Sequence, residues 1–349
     1  MKVAFAGTPQ FGALVLGALL RSRHEVALVL TQPDRPAGRG RVLKPSPVKE
    51  LALEERLRVE QPESISTPEF FEVMKSLGVE VLTVAAFGQI LRAPLLGGMP
   101  CINVHASLLP KYRGAAPIER AIMAGERTIG VSIMDITPKL DTGAVYLQRV
   151  VPIEDEDDAG AMYGKLGQAG GEALAEVLDA LESGGMEPEP QDEGAATYVE
   201  KITPADRKID WSRSAREIND QVRALSPHIG AFTVAGGYRL KVWKAEVVDE
   251  VMRHHEAEQD EAERNEAKRN EAEQDEAERQ KSDNGVTPAR APATGLSPGL
   301  VVIDGERLLV ACGNGFLELL EVQPEGKRRL AAAKFLRGYR TAVENEKLG

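Results

Sequence analysis

Asn103, His105 and Ser107 place an amide, an imidazole and a hydroxyl within five residues, in the run Asn103-Val104-His105-Ala106-Ser107-Leu108-Leu109-Pro110. The run follows an apolar segment and is broken by Pro110 and Gly114, within Lys111-Tyr112-Arg113-Gly114-Ala115-Ala116-Pro117. A carboxylate, Asp141, follows in Leu140-Asp141-Thr142-Gly143. On an extended segment side chains alternate, so residues 103 and 105 project from one face and can address one reacting atom. An amide N–H can donate to a developing oxyanion, and an imidazole can carry a proton near neutral pH. That is equipment for acyl-type transfer. Taken singly, each residue has a plainer use: Asn103 and His105 can satisfy backbone groups at a strand end, and Asp141 can cap the turn that follows it. His24 and His228 are assigned to such structural roles. The combination of three, not any one of them, carries the chemistry.

These residues need a scaffold. Residues 2–7 predict a buried strand that turns at Gly7-Thr8-Pro9 into a helix over 10–21, with Thr8 as N-cap and Pro9 in the first turn. Further strands are expected at 25–32, 79–87, 101–105, 130–135 and 144–153. Helices are expected from 47 to about 58 and at 69–77, 117–124 and 159–182. Strands alternating with helices mean an α/β sheet wound on both sides, in which ligands sit beyond the carboxyl ends of strands. Asn103 and His105 fall at such an end. Residues 33–47 fit neither period and read as a Pro-, Gly- and Arg-rich loop, and a long loop inside a compact domain is functional or disordered. From about 184 to 206 the composition shifts to Gly, Pro and Glu. Beyond a helix at 215–225, short runs at 232–234, 238–248, 300–303, 307–312 and 316–322 predict a small β-barrel. The expected organisation is a catalytic domain over 1–189, a linker over 190–207 and a C-terminal domain over 208–349.

That last domain carries an insertion at about 251–298. Residues 256–279 repeat with a five-residue period, beginning Glu-Ala-Glu-Gln-Asp. A five-residue step advances about 140° around a helix, so the alanines form no stripe and build no core. Pairs such as Asp260–Arg264 and Asp275–Arg279 can sustain an exposed helix at i, i+4. The repeat reads as a solvated insertion between two barrel strands, in preference to a partner-binding tail, and deletion of 254–294 is expected to leave activity largely unchanged.

The 349 residues are 42% apolar with a net charge of −11, enough for two buried cores. Residues 251–281 hold 11 acids against 6 bases, so almost half of the excess sits in the atypical tract. Bases cluster elsewhere. Arg35, Arg39, Arg41, Lys44 and Lys49 accompany one acid, Asp34; Lys327, Arg328, Arg329, Lys334, Arg337 and Arg340 lie near the C-terminus. Such patches can bind phosphates on an acidic protein. Cys101 and Cys312 read as buried thiols, and no G-x-G-x-x-G or G-x-x-x-x-G-K-[ST] loop exists to bind a dinucleotide or a nucleoside triphosphate. With no eighteen-residue apolar run and no signal pattern, a soluble cytoplasmic protein is expected.

The chain resembles the methionyl-tRNA formyltransferases, a 10-formyltetrahydrofolate-dependent formyltransferase family, nearly end to end. The resemblance rests on Phe5-Ala6-Gly7-Thr8-Pro9, Thr31-Gln32-Pro33-Asp34-Arg35-Pro36-Ala37-Gly38-Arg39-Gly40, Pro45-Ser46-Pro47-Val48-Lys49, the block over 103–118, Leu140-Asp141-Thr142-Gly143, Lys201-Ile202 and Ile209-Asp210-Trp211. Several formyltetrahydrofolate users share the Asn103, His105 and Asp141 set; the loop at 33–49 and the C-terminal domain narrow the likeness to the tRNA enzymes. The five-residue repeat has no counterpart in the family pattern. The resemblance implies a Rossmann-like, doubly wound formyltransferase domain followed by a small OB-like β-barrel. It implies formyl transfer from 10-formyltetrahydrofolate to the α-amine of methionyl initiator tRNA, for initiation of protein synthesis. Asn103, His105 and Asp141 would be catalytic. Ser107, Leu108, Leu109 and Pro110, with Phe87, Gly88 and Gln89, would bind the folate. Arg35, Arg39, Arg41 and Lys44 would enter the acceptor end of the tRNA, and Lys327, Arg328 and Arg329 would hold its outer arm. Arg113 is taken as a solvated surface residue, with pairing to a carboxylate or phosphate as its alternative. No metal and no membrane partner is implied, and a monomer is expected. Two rivals stand beside this reading: an enzyme formylating a small amine, and a non-catalytic RNA-binding protein on the same fold.

Overall fold

Lys2–Gly7 (β1) is buried along nearly its whole length, as a strand in the middle of a parallel sheet must be. Gln10–Leu19 (α1) follows, with Pro9 rather than Thr8 at its N-cap and no side-chain cap. Thr8 serves the sheet instead: its hydroxyl donates to the Phe87 carbonyl and accepts from the Gln32 N–H, tying together the segments that leave neighbouring strands. The structure is a computed structural model, and it describes residues 1–37, 42–248, 296–344 and 346–349. Arg39, Arg41 and the five-residue repeat lie outside the described residues.

After β1 and α1 come Glu25–Leu30 (β2), then Arg35–Ala37 (β3) and Val42–Lys44 (β4), an antiparallel pair inside the stretch expected to lack regular structure. Pro47–Glu54 (α2) is capped by Ser46 and is shorter than expected, because the chain turns through Arg56 at φ +58°. Val59–Glu60 (β5), Pro68–Ser76 (α3), Val81–Ala85 (β6), Leu95–Gly98 (α4) and Cys101–His105 (β7) follow. Arg113–Gly114 (β8), Pro117–Met123 (α5), Thr128–Asp135 (β9), Val145–Pro152 (β10) and Ala159–Glu182 (α6) complete the main run. One seven-stranded sheet has the order β10-β9-β7-β6-β1-β2-β5. Five of its strands are parallel, and β9 runs antiparallel to both β7 and β10. The order reverses between β1 and β6, the switch point where such sheets open a crevice. Helices α1 and α6 pack closely because α6 carries glycine where they meet: a Cβ on Gly171 would stand 2.3 Å from that of Ala18.

Residues 190–202, expected as linker, belong to the first unit. The chain divides into Met1–Ile202 and Thr203–Gly349, and Tyr198–Val199 (β11) pairs in parallel with β8. The Gly, Pro and Glu composition there reflects a segment laid over the surface by backbone pairing, not a free tether.

In the second unit Ala215–Leu225 (α7) begins with a capping box between Ser214 and Glu217. Ala231–Ala235 (β12), Tyr238–Val248 (β13), Val301–Asp304 (β14), Arg307–Ala311 (β15), Phe316–Pro324 (β16) and Leu330–Ala331 (β17) form an antiparallel sheet, β12-β13-β16-β15-β14, with β17 on β16. The C-terminal residues bond to both outer strands: Gly349 exchanges bonds with Val234 of β12, and Val301 of β14 donates to Glu346. This tail brings the sheet toward the barrel form. Ala332–Val343 (α8) was not expected; its buried Phe335, Leu336 and Val343 are sparse, and its outward Lys334, Arg337 and Arg340 read from sequence as a charged patch.

Candidate active site

Asn103 and His105 stand at the end of β7, flanked in register by Val84 of β6 and by Met134 and Ser132 of β9. His105 is only 7% exposed. Its Nε2 lies 3.0 Å from the Tyr112 carbonyl oxygen, which can only accept, so Nε2 carries the proton. Nδ1 therefore faces Asp141, with Oδ1 at 3.8 Å. Nδ1 is the ring atom left to exchange a proton within the cleft, and the Asp141 carboxylate stands beside it.

Asp141 is held at its side chain and its backbone. Oδ2 accepts the Gly114 N–H at 2.8 Å, and the Asp141 carbonyl accepts from the Gln191 amide at 2.9 Å. Its φ of +51° is left-handed, a conformation that costs a non-glycine residue on the order of 1–3 kcal/mol. Ala86 and Tyr112, at φ +52° and +60°, share that conformation. Ala86 lines the same cleft as Asp141, and Tyr112 supplies the carbonyl to His105. Strain is thus concentrated around the three polar groups. Gly114 resists substitution: at φ +119° a Cβ would sit 2.2 Å from the Val199 carbonyl oxygen.

Asn103, His105 and Asp141 all line one open cleft of about 790 Å³. Val84, Phe87, Ile90, Leu91, Met134 and Ile136 give it an apolar wall suited to a flat heteroaromatic ring. Helices α1, α5 and α6 contribute Phe11, Ile118, Glu119 and Tyr163. The Tyr163 hydroxyl donates to Glu119 Oε1 at 2.7 Å, and burial together with that carboxylate raises the phenol well above its usual range. The pair carries no sequence motif and was not anticipated.

Of the residues expected to hold folate, Phe87, Gly88 and Gln89 line this cleft, but Ser107, Leu108, Leu109 and Pro110 do not. Their groups are spent on the seam between β7 and β9. The Ser107 hydroxyl donates to the Lys111 carbonyl, while Ser132 donates to the Ser107 carbonyl and accepts from the Leu109 N–H. Leu108 packs over Gly130. Arg113 also departs from expectation. It is wholly buried, bonded to Gln191, Glu193 and Tyr198, and is not solvated.

Among the basic residues, Arg35 and Lys44 are exposed and stand opposite each other on β3 and β4. Lys49 is committed to Asp34 at 2.6 Å, and that hydrogen bond holds the Asp34 carboxyl below its usual range. In the second unit Lys327, Arg328 and Arg329 are exposed. Arg329 stacks 3.4 Å over the Trp243 ring, which also has Lys241 at 4.8 Å. Burial, then the neighbouring Arg207, Arg329 and Arg239, push the Lys241 amine below its ordinary value. Cations gathered on aromatic faces can serve phosphates and bases alike. Among the described residues no group of three or more His, Cys, Asp or Glu is placed to hold a metal ion.

Known proteins share both units. Residues 1–178 match the Formyl transferase family and residues 201–340 match the Formyl transferase C-terminal domain. The chain is 39% identical to methionyl-tRNA formyltransferase of Methylococcus capsulatus over 351 residues, covering all of both chains. It is 41% identical to that of Symbiobacterium thermophilum over 342 residues, 97% of this chain and 92% of the relative. Among solved structures, the sugar 3N-formyl transferase WlaRD, in the presence of dTDP and 5-N-formyl-THF, matches with a TM-score of 0.59 at 16% identity, over 94% of this chain and 99% of that one. HypX from Aquifex aeolicus in complex with tetrahydrofolic acid matches with a TM-score of 0.60 at 15% identity; the match covers 99% of this chain and 48% of HypX, so the chain spans about half of that protein's length. These two likenesses are of fold. With the relatives matching from end to end, the chain belongs to the formyltransferase family, among the methionyl-tRNA formyltransferases.

Proposed function

We propose that this protein transfers the formyl group of 10-formyltetrahydrofolate to the α-amine of methionine esterified to initiator tRNA, with Asn103, His105 and Asp141 as the catalytic residues. The observation that carries the reading is the convergence of these three side chains on one cleft with an apolar wall beside them. The wall fits a pterin ring, with Phe87, Gly88 and Gln89 at its strand end. In the reaction an N–C bond forms to the methionine amine, the bond from the formyl carbon to the folate nitrogen breaks, and one proton passes from the amine to that nitrogen. Asn103 donates to the formyl oxygen as it gains charge. The His105 Nδ1 and Asp141 Oδ1, facing each other at 3.8 Å, receive and return the proton. Holding amine and carbonyl carbon in register supplies a further large share of the rate.

For the tRNA, Arg35, Arg39, Arg41 and Lys44 act on the acceptor end, and Lys327, Arg328 and Arg329 on the outer arm through phosphates. The acting species is a monomer. The cytoplasm, where a charged tRNA is available, is its place of work; among the described residues no helix is long and apolar enough to cross a membrane.

The test is transfer of labelled formyl from 10-formyltetrahydrofolate to methionyl initiator tRNA, with elongator methionyl-tRNA and glycinamide ribonucleotide as competing acceptors. Product on the initiator tRNA alone supports the reading. Product on the small amine keeps the catalytic groups and removes the tRNA; bound tRNA without product removes the chemistry.

A further inference from the structure

The buried guanidinium of Arg113 and the amide of Gln191 form a linkage that runs to the Asp141 backbone. Gln191 Oε1 accepts from Arg113 Nε at 3.1 Å and from Nη2 at 2.8 Å. Its Nε2 donates to the carbonyls of Asp141 at 2.9 Å and Gly143 at 2.7 Å. Both amide protons and the amide oxygen are therefore used. Arg113 is fixed in turn by Glu193 and by the Tyr198 hydroxyl at 2.8 Å, and β8 pairs with β11 beneath it.

The same short stretch holds the other groups. The Tyr112 carbonyl takes the His105 ring, the Gly114 N–H takes Asp141 Oδ2, and Arg113 between them grips Gln191. The imidazole, the carboxylate and the left-handed Asp141 backbone are thus all referenced to residues 112–114. Without Gln191 the backbone leg of this frame is gone, and the strain at φ +51° has one anchor fewer to oppose it.

We propose that Gln191 is a positioning residue for Asp141, and that the segment around it is part of the catalytic frame and not a tether between units. The inference rests on the formyl-transfer reading above. Gln191→Met keeps the length and shape of the side chain and removes all four hydrogen bonds. Gln191→Glu keeps the acceptor for Arg113 and turns a carboxylate toward two carbonyl oxygens. Both variants should lower single-turnover formyl transfer about 10- to 100-fold, the cost of displacing a reacting group by roughly an ångström. KM for both substrates should stay within about threefold, and the pH profile of the rate should shift, because Asp141 no longer faces His105 at a fixed distance.

The deciding measurement is a double-mutant cycle with Asp141→Asn, which keeps the carbonyl that Gln191 binds but removes the carboxylate whose placement would matter. In that background Gln191→Met should cost less than about twofold. An equal loss in both backgrounds, an unchanged pH profile, or a parent-like rate in Gln191→Met would overturn the proposal, as would failure of both Gln191 variants to fold, which would make the role structural. Absence of formyl transfer by the unaltered chain is a separate result, and it sinks the functional reading instead.

Discussion

Arg35 and Lys44 face each other directly across the β3–β4 pair, two exposed cations in register. Like charges placed opposite on a ladder destabilise it, so the arrangement costs this short hairpin stability. At its base the opposite holds: Lys49 pairs with Asp34, and the Gln61 amide bonds the other Asp34 oxygen and the Gln32 carbonyl. A neutralised base and a pair of cations with no acidic partner among the described residues suit an element built to meet a polyanion. Arg35→Ala and Lys44→Ala should each weaken binding of methionyl initiator tRNA and reduce the slope of log K against log salt by about 1. The maximal rate at saturating tRNA should change little. Binding titrations at several salt concentrations decide it, and an unchanged slope in both variants removes this hairpin from the tRNA contact.

The neutral side chain among the three catalytic candidates gives the cleanest mutation. Asn103→Ala deletes one donor to the oxyanion and leaves the His105 and Asp141 pair in place. Loss of one such donor typically costs about a hundred- to a thousandfold in rate, roughly 3–4 kcal/mol. Single-turnover formyl transfer should fall by that factor while folate and tRNA affinities hold. A drop of less than tenfold would assign Asn103 to the strand end alone.

How much of this could be read from the residues depended on where the information lies. Alternation of strand and helix was visible because buried strands are apolar runs and helices repeat at 3.6 residues; α6 and α7 occupy the expected spans residue for residue. Asn103 and His105 were legible because the period of a strand puts both on one face. Asp141 was legible only in company, since nothing near it in sequence reports its left-handed backbone. Gln191 and Arg113 were not legible: a Gln in a Gly- and Pro-rich stretch looks like linker, and an Arg beside Gly looks solvated, until β8 and β11 bring them together. Ser107, Leu108 and Leu109 were assigned to the folate through the family resemblance alone, and nothing in the sequence reports that Ser132, 25 residues from Ser107, bonds the Ser107 carbonyl and the Leu109 N–H.

Lys241 offers a test by pH. Its amine lies below its ordinary value because it is partly buried and surrounded by Arg207, Arg329 and Arg239, so in the free protein it loses its proton at a lower pH than a solvated lysine. A bound phosphate chain offsets the cation repulsion and returns the amine toward its usual value. Binding of tRNA in the alkaline range should therefore take up protons and weaken as pH rises through that window. Calorimetric titrations in two alkaline buffers of different ionisation enthalpy should give different heats, and the same pair of buffer types near pH 7 should not. Equal heats at alkaline pH would mean that the tRNA does not reach Lys241.

Gly114 joins backbone geometry to catalysis at one atom. Its N–H is the donor to Asp141 Oδ2, its φ is +119°, and a Cβ would lie 2.2 Å from the Val199 carbonyl oxygen, which itself accepts the Ala115 N–H. Gly114→Ala must part β8 from β11 or rotate the 114 amide away from the carboxylate. Either movement releases Asp141 from its side-chain anchor and shifts residue 112, whose carbonyl holds His105. The substitution should lower stability by about 3 kcal/mol, at the severe end for a single residue. It should also lower the rate at least as far as Asn103→Ala does, because two of the three polar groups are displaced together. Thermal unfolding and single-turnover transfer, measured on the same preparation below its melting temperature, separate the two effects. A destabilised protein with a parent-like rate would show that Asp141 acts without the Gly114 anchor, and would leave its positioning to Gln191 alone.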